Sequence, residues 1–143
     1  MRVLAVDHGA ARAGCAISDP TGTIARPLGV IEPPEPRAVA ELAAEHEAEL
    51  VVVGLPLSLR GAEGPQAAQA RAFRDTLAAI LDVPVEIYDE RLTTRLADRS
   101  ARAGAGAPPD ALAAAHLLES FLVARSSLLD GRSDRESEEE DRR

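Results

Sequence analysis

The chain has 143 residues, 45% of them hydrophobic, and a formal charge of −8; that is enough for one compact domain with a buried core. The acidic balance argues against wholesale, non-specific nucleic-acid binding. The single cysteine, Cys15, excludes an internal disulfide and fits a reducing cytoplasm, and neither a membrane span nor a signal peptide is predicted.

Aromatic residues are scarce (Phe73, Phe121, Tyr88), so the core must be Ala, Leu, Val and Ile; all sixteen basic residues are Arg. In chain order, residues 2–7 and 13–18 read as two short strands joined by "HGAARAG", and a third, 23–31, follows the turn "SDPTG". "EPPEP" at 32–36 breaks the chain and starts a helix with Val39, Leu42 and Ala43 at helical spacing. "LVVVGLPL" at 50–57 fits a strand buried on both faces. "GAEGPQ" at 61–66 leads into a helix with Ala70, Phe73, Leu77, Ile80 and Leu81 on its apolar side. "VEIYDE" at 85–90 is the fifth strand, and a short helix is expected over residues 93–102. After the helix-breaking "AGAGAPPD" at 103–110, a last helix buries Leu112, Leu118, Phe121 and Leu122. Residues 131–143 carry six acids, four arginines and no apolar side chain, and are expected to form a disordered, solvated tail to a domain spanning 1–130. The order predicts an α/β fold: a mixed five-stranded sheet, three antiparallel strands followed by α/β crossovers, with helices on both faces.

The informative acids fall at element ends. Asp7 ends the first strand, Asp89 and Glu90 end the last, and Asp110 opens the final helix. Right-handed crossovers make the first and the two later strands parallel neighbours, so these acids converge at the carboxyl edge where α/β sheets hold their sites. Carboxylates gathered there repel one another unless a cation lies between them. Hard divalent ions, Mg²⁺ or Mn²⁺, suit an oxygen-only donor set, and a two-ion site serves phosphodiester cleavage. His8, His46 and His116 have no partner at ligand spacing, which argues against zinc.

Taken together, "DHGAARAGCAISD" (7–19), "VVGLPLSLRGAEGPQA" (52–67), "DERLTT" (89–94) and "DALAAAHLLESFL" (110–122) resemble the YqgF (RuvX) family, of ribonuclease H-like fold. The resemblance runs from residue 2 to about 125 and rests on the combination of motifs. It implies a metal-dependent endonuclease: one that processes the 5′ end of precursor 16S ribosomal RNA or, by likeness to RuvC, a Holliday junction resolvase. By position, the catalytic and metal-binding acids are Asp7, one acid of the DER triplet, and Asp110. Gly9, Arg12 and Gly14 match the family's glycine turn. The chain departs from the family at Ala11, where many members have Lys, and no Lys precedes Asp110.

Each of these residues also has a plainer role open to it. Asp7 could cap a turn, and Asp110 could serve the helix N-terminus alone. Asp89 shares one face of its strand with the apolar Val85 and Ile87, so Glu90, with its longer reach, is the preferred metal ligand. Asp89 would then support the site from behind. Arg12, Arg60 and Arg91, with the amides around Gly61 and Gly64, are candidate phosphate ligands; Arg91 could equally pair with Asp89. The expected partner is nucleic acid, structured RNA or else branched DNA, bound by a monomer or homodimer. A non-catalytic binding module on the same fold remains the alternative from outside enzymology.

Overall fold

The structure, a computed structural model, describes residues 1–56, 64–89 and 106–141, with residues 129–141 as backbone alone. Five strands form one sheet: β1 (Val3–His8), β2 (Ala13–Ser18), β3 (Ala25–Ile31), β4 (Leu50–Leu55) and β5 (Val85–Asp89). Their spatial order is β3-β2-β1-β4-β5. β1, β2 and β3 pair antiparallel, whereas β4 runs parallel to both β1 and β5. The predicted mixed sheet is therefore present, with the first and the two later strands parallel neighbours.

Three described helices cover it: α1 (Pro36–Glu45), α2 (Pro65–Ile80) and α3 (Pro109–Asp141). Leu4, Val6, Cys15, Ile17, Val51, Val53 and Val85 face one way, toward Val39 and Ala43 of α1 and Ala70, Phe73 and Leu77 of α2. Val3, Ala5, Ala16 and Val52 face the other way, toward Ala114, Leu118, Phe121 and Leu122 of α3. β4 lies between two strands and under helices on both sides, so every one of its residues is buried. That is why its sequence is an unbroken apolar run rather than an alternation.

The local chemistry explains most element ends. Pro65 begins α2 with Gly64 as its N-cap, using the fixed φ and missing N–H of proline where neither is a handicap. Pro27 is tolerated within β3 because that strand is an edge. The Asp19 carboxylate accepts the amide hydrogens of Thr23 at 2.7 Å and Ile24 at 2.8 Å, which shapes the link from β2 to β3. Those bonds, with the Thr21 hydroxyl, hold Asp19 well below the usual carboxylate range.

Two helix expectations are adjusted by the tertiary packing. Ile80, at the end of α2, is half exposed, and Leu112 is only partly buried. Ala111, Ala114 and Ala115 of α3 are fully covered instead, because small side chains let this helix lie close to the sheet. The backbone of α3 also continues as helix through Asp141, across most of the stretch whose composition predicts a disordered tail. Extending an existing helix avoids the nucleation cost, and Glu and Arg are good helix formers. The helix expected over residues 93–102 lies outside the described residues. Among the described residues no helix is long and apolar enough to cross a membrane.

Cys15 is completely buried in β2, and burial pushes its thiol up to about 12. At pH 8 only about one thiol in ten thousand would be ionised. The native protein is accordingly expected to resist an aromatic disulfide reagent at pH 8 and to react with one equivalent once unfolded. Rapid titration of the native chain would contradict this packing.

Candidate functional site

Alternation along β1 decides where Asp7 points. Val3 and Ala5 pack toward α3 while Leu4 and Val6 pack toward α1 and α2, so Asp7 is on the α3 face and His8 on the other. Asp7 is the last residue but one of the strand, one position earlier than the sequence suggests. Its cross-strand partner in β2 is Gly14.

Gly14 is what brings the second acid in. A Cβ built on it would lie 1.9 Å from the Asp110 carbonyl oxygen and 2.3 Å from its carbonyl carbon. No side chain fits there, so the first turn of α3 rests directly on the bare backbone of β2 beside Asp7. A glycine inside a strand is the sequence signal for such a close approach; which segment makes the approach is not legible locally. The resemblance placed Gly14 in the turn. The structure instead places it within β2, as the seat of α3.

Further along α3, about three turns in, different contacts hold it. Tyr88 Oη lies 2.8 Å from Ser120 Oγ, and its ring meets Phe121 edge-on at 5.6 Å. Contacts at Gly14 and again at Tyr88 set the position of α3 on the sheet, with Asp110 beside Asp7.

Loop 9–12 closes the site. The Gly9 amide donates to the Arg12 carbonyl at 2.9 Å, and a Cβ on Gly9 would lie 2.8 Å from that same oxygen. From this loop Arg12 reaches Asp110, with Nε 3.6 Å from Oδ2. Asp7, His8, loop 9–12 and Asp110 line a surface depression of about 250 Å³. The His8 ring packs on Phe73 of α2 with centroids 4.4 Å apart, and burial lowers its pKa.

The remaining sequence candidates divide in two groups. Asp89 ends β5 on the face of Val85 and Ile87, next to Leu55 of β4; it is across the sheet from Asp7 and Asp110. Gly64 is the N-cap of α2, with open space over its Cα. Glu90, Arg60, Gly61 and Arg91 lie outside the described residues. Arg74 ties α2 to β5 by donating from Nε to the Val85 carbonyl at 3.0 Å. Among the described residues no group of three or more His, Cys, Asp or Glu is assembled for a metal ion; the depression itself contributes two carboxylates.

A mixed sheet in this strand order, with helices on both faces, is a ribonuclease H-like fold. Thermus thermophilus RuvC, solved in complex with a Holliday junction substrate, superposes with a TM-score of 0.64 at 19% identity, covering 88% of this chain and 96% of that one. The fowlpox virus Holliday junction resolvase gives 0.54 at 13% identity, covering 87% and 99%. At such identities the likeness shows the fold. Sequence relatives carry the assignment further. A protein of Chloroflexus aggregans described as "Putative pre-16S rRNA nuclease" is 46% identical over 135 residues, 86% of this chain and 94% of its own. One of Anaeromyxobacter dehalogenans with the same description is 41% identical over 136 residues, 88% and 99%. Residues 1–124 match the model of the family described as RuvX: Holliday junction resolvase, and the chain belongs to that family.

Proposed function

We propose that this chain is a divalent-metal-dependent endonuclease that hydrolyses phosphodiester bonds at the Asp7–Asp110 depression, with the 5′ end of precursor 16S ribosomal RNA as its substrate. The observation that carries the reading is the seat at Gly14. A strand position with no room for even a methyl group brings the start of α3, and Asp110 with it, against β2 beside Asp7. The Chloroflexus and Anaeromyxobacter relatives, described as pre-16S rRNA nucleases, support the RNA substrate.

The residues fit a hard cation. Asp7 and Asp110 offer oxygen only, while the neighbouring imidazole of His8 is engaged with Phe73, a set that suits Mg²⁺ or Mn²⁺. Asp7, Asp110 and Glu90 would hold the metal. Asp89 is less suited than Glu90, since it lies on the face covered by α2. Bound there, Mg²⁺ or Mn²⁺ would supply an activated water and neutralise charge on the phosphate. The chain's own part is to hold the acids on rigid elements and to offer Arg12 to a phosphate oxygen. The amides at the start of α2, around Gly64 and with Arg60, Gly61 and Arg91, are proposed to hold the backbone further along.

A second reading, resolution of four-way DNA junctions, is favoured by the family description and by the likeness to RuvC. Matched substrates separate the two: an RNA carrying an extended 16S 5′ end and a four-way DNA junction, each incubated with Mg²⁺, Mn²⁺ or chelator. Divalent-dependent cleavage at a defined RNA position supports the first reading, and paired symmetric cuts in the junction alone support the second. Binding of either without cleavage would make the chain a nucleic-acid-binding module and overturn both.

A further inference from the structure

Asp110 already has a cation. Arg12 Nε sits 3.6 Å from its Oδ2, and the two side chains remain 54% and 45% exposed. Among the described residues Arg12 is the only arginine lining the depression. Its backbone is anchored, because its carbonyl closes the loop by accepting the Gly9 amide. The guanidinium is at the end of a long side chain in solvent, and half-exposed ion pairs of this kind are weak. A divalent ion held by the same carboxylate would bring twice the charge and would displace such a partner. The anchored loop would keep the freed guanidinium near the depression, where its planar fork suits a phosphate.

We propose that Arg12 is an internal counter-ion and positioning residue, occupying Asp110 until a divalent ion takes that carboxylate and then turning to the phosphate of the substrate. One side chain thereby couples metal loading to substrate capture, and by reciprocity phosphate binding strengthens metal binding. The inference rests on the reading of Asp110 as a metal-binding acid. It assigns Arg12 opposite effects on two ligands, which neither a structural ion pair nor a plain phosphate ligand has.

The test is calorimetric titration of the full chain with Mn²⁺ alone, comparing wild type, Arg12→Gln and Asp110→Asn. It is joined by anisotropy of a labelled phosphorothioate RNA in saturating Mn²⁺. Arg12→Gln is expected to bind Mn²⁺ about 3- to 10-fold more tightly, since both the competitor and its repulsion are gone. The same variant is expected to bind the RNA more weakly, with the salt slope reduced by about 1. Unchanged or weaker Mn²⁺ affinity in Arg12→Gln, beside normal binding by wild type and loss in Asp110→Asn, overturns the role of Arg12 and leaves the metal site standing. Absence of Mn²⁺ binding by wild type, or full retention in Asp110→Asn, overturns the metal role of Asp110 and the inference with it.

Discussion

Asp7→Asn is expected to melt at the wild-type temperature and to lose divalent-dependent cleavage by on the order of 10³-fold, the rate equivalent of several kcal/mol of transition-state stabilisation. The two outcomes separate because Asp7 is half-buried at the margin of the sheet rather than in either core cluster. Asparagine keeps the size and one carbonyl oxygen but brings no charge to a cation. Asp89→Asn is the matched control. Asp89 is one register position further along and on the α2 face, so its neutralisation is expected to cost no more than about 10- to 100-fold, the range for residues that act through a ligand. Equal losses in the two variants would show that the face assignment does not govern the chemistry. Full activity in a clean Asp7→Asn preparation would remove Asp7, and the depression it lines, from the cleavage chemistry.

Gly14→Ala should behave differently, losing stability and activity together. The added methyl would meet backbone, the carbonyl of Asp110 at 1.9 Å, which no rotamer change can relieve. Overpacking of this kind costs about 3 kcal/mol at the upper end of the usual range, or roughly 10 °C in melting temperature for a chain of this length. The helix must lift from β2, and with it Asp110 leaves Asp7. A displacement of about 1 Å at a reacting centre already costs on the order of 10²-fold. Thermal melts and cleavage assays on the same preparation check both halves. An alanine variant with wild-type melting temperature and activity would mean that α3 is not seated where it is described.

Much of the architecture was legible because its causes are local. The alternation of Val3, Ala5 and Asp7 against Leu4, Val6 and His8, the unbroken run at residues 50–55, and the prolines opening α1, α2 and α3 each record the environment of their own segment. The same holds for the face of Asp89, which strand alternation puts with Val85 and Ile87. The helical backbone beyond residue 130 was not legible, since charge-rich composition serves a solvated helix as well as a coil.

The sequence by itself determined the strand and helix order, the sheet with both faces covered, and Asp7 and Asp110 as candidate acids, all properties carried by short-range pattern or by motif. Tertiary structure alone decided that Gly14 is the seat of α3, that Tyr88 bonds to Ser120 of that helix, and that Arg12 pairs with Asp110. The physical reason is distance along the chain. Gly14 and Asp110 are separated by most of the fold, and their contact depends on how closely a helix can approach a strand, which is a property of two surfaces together.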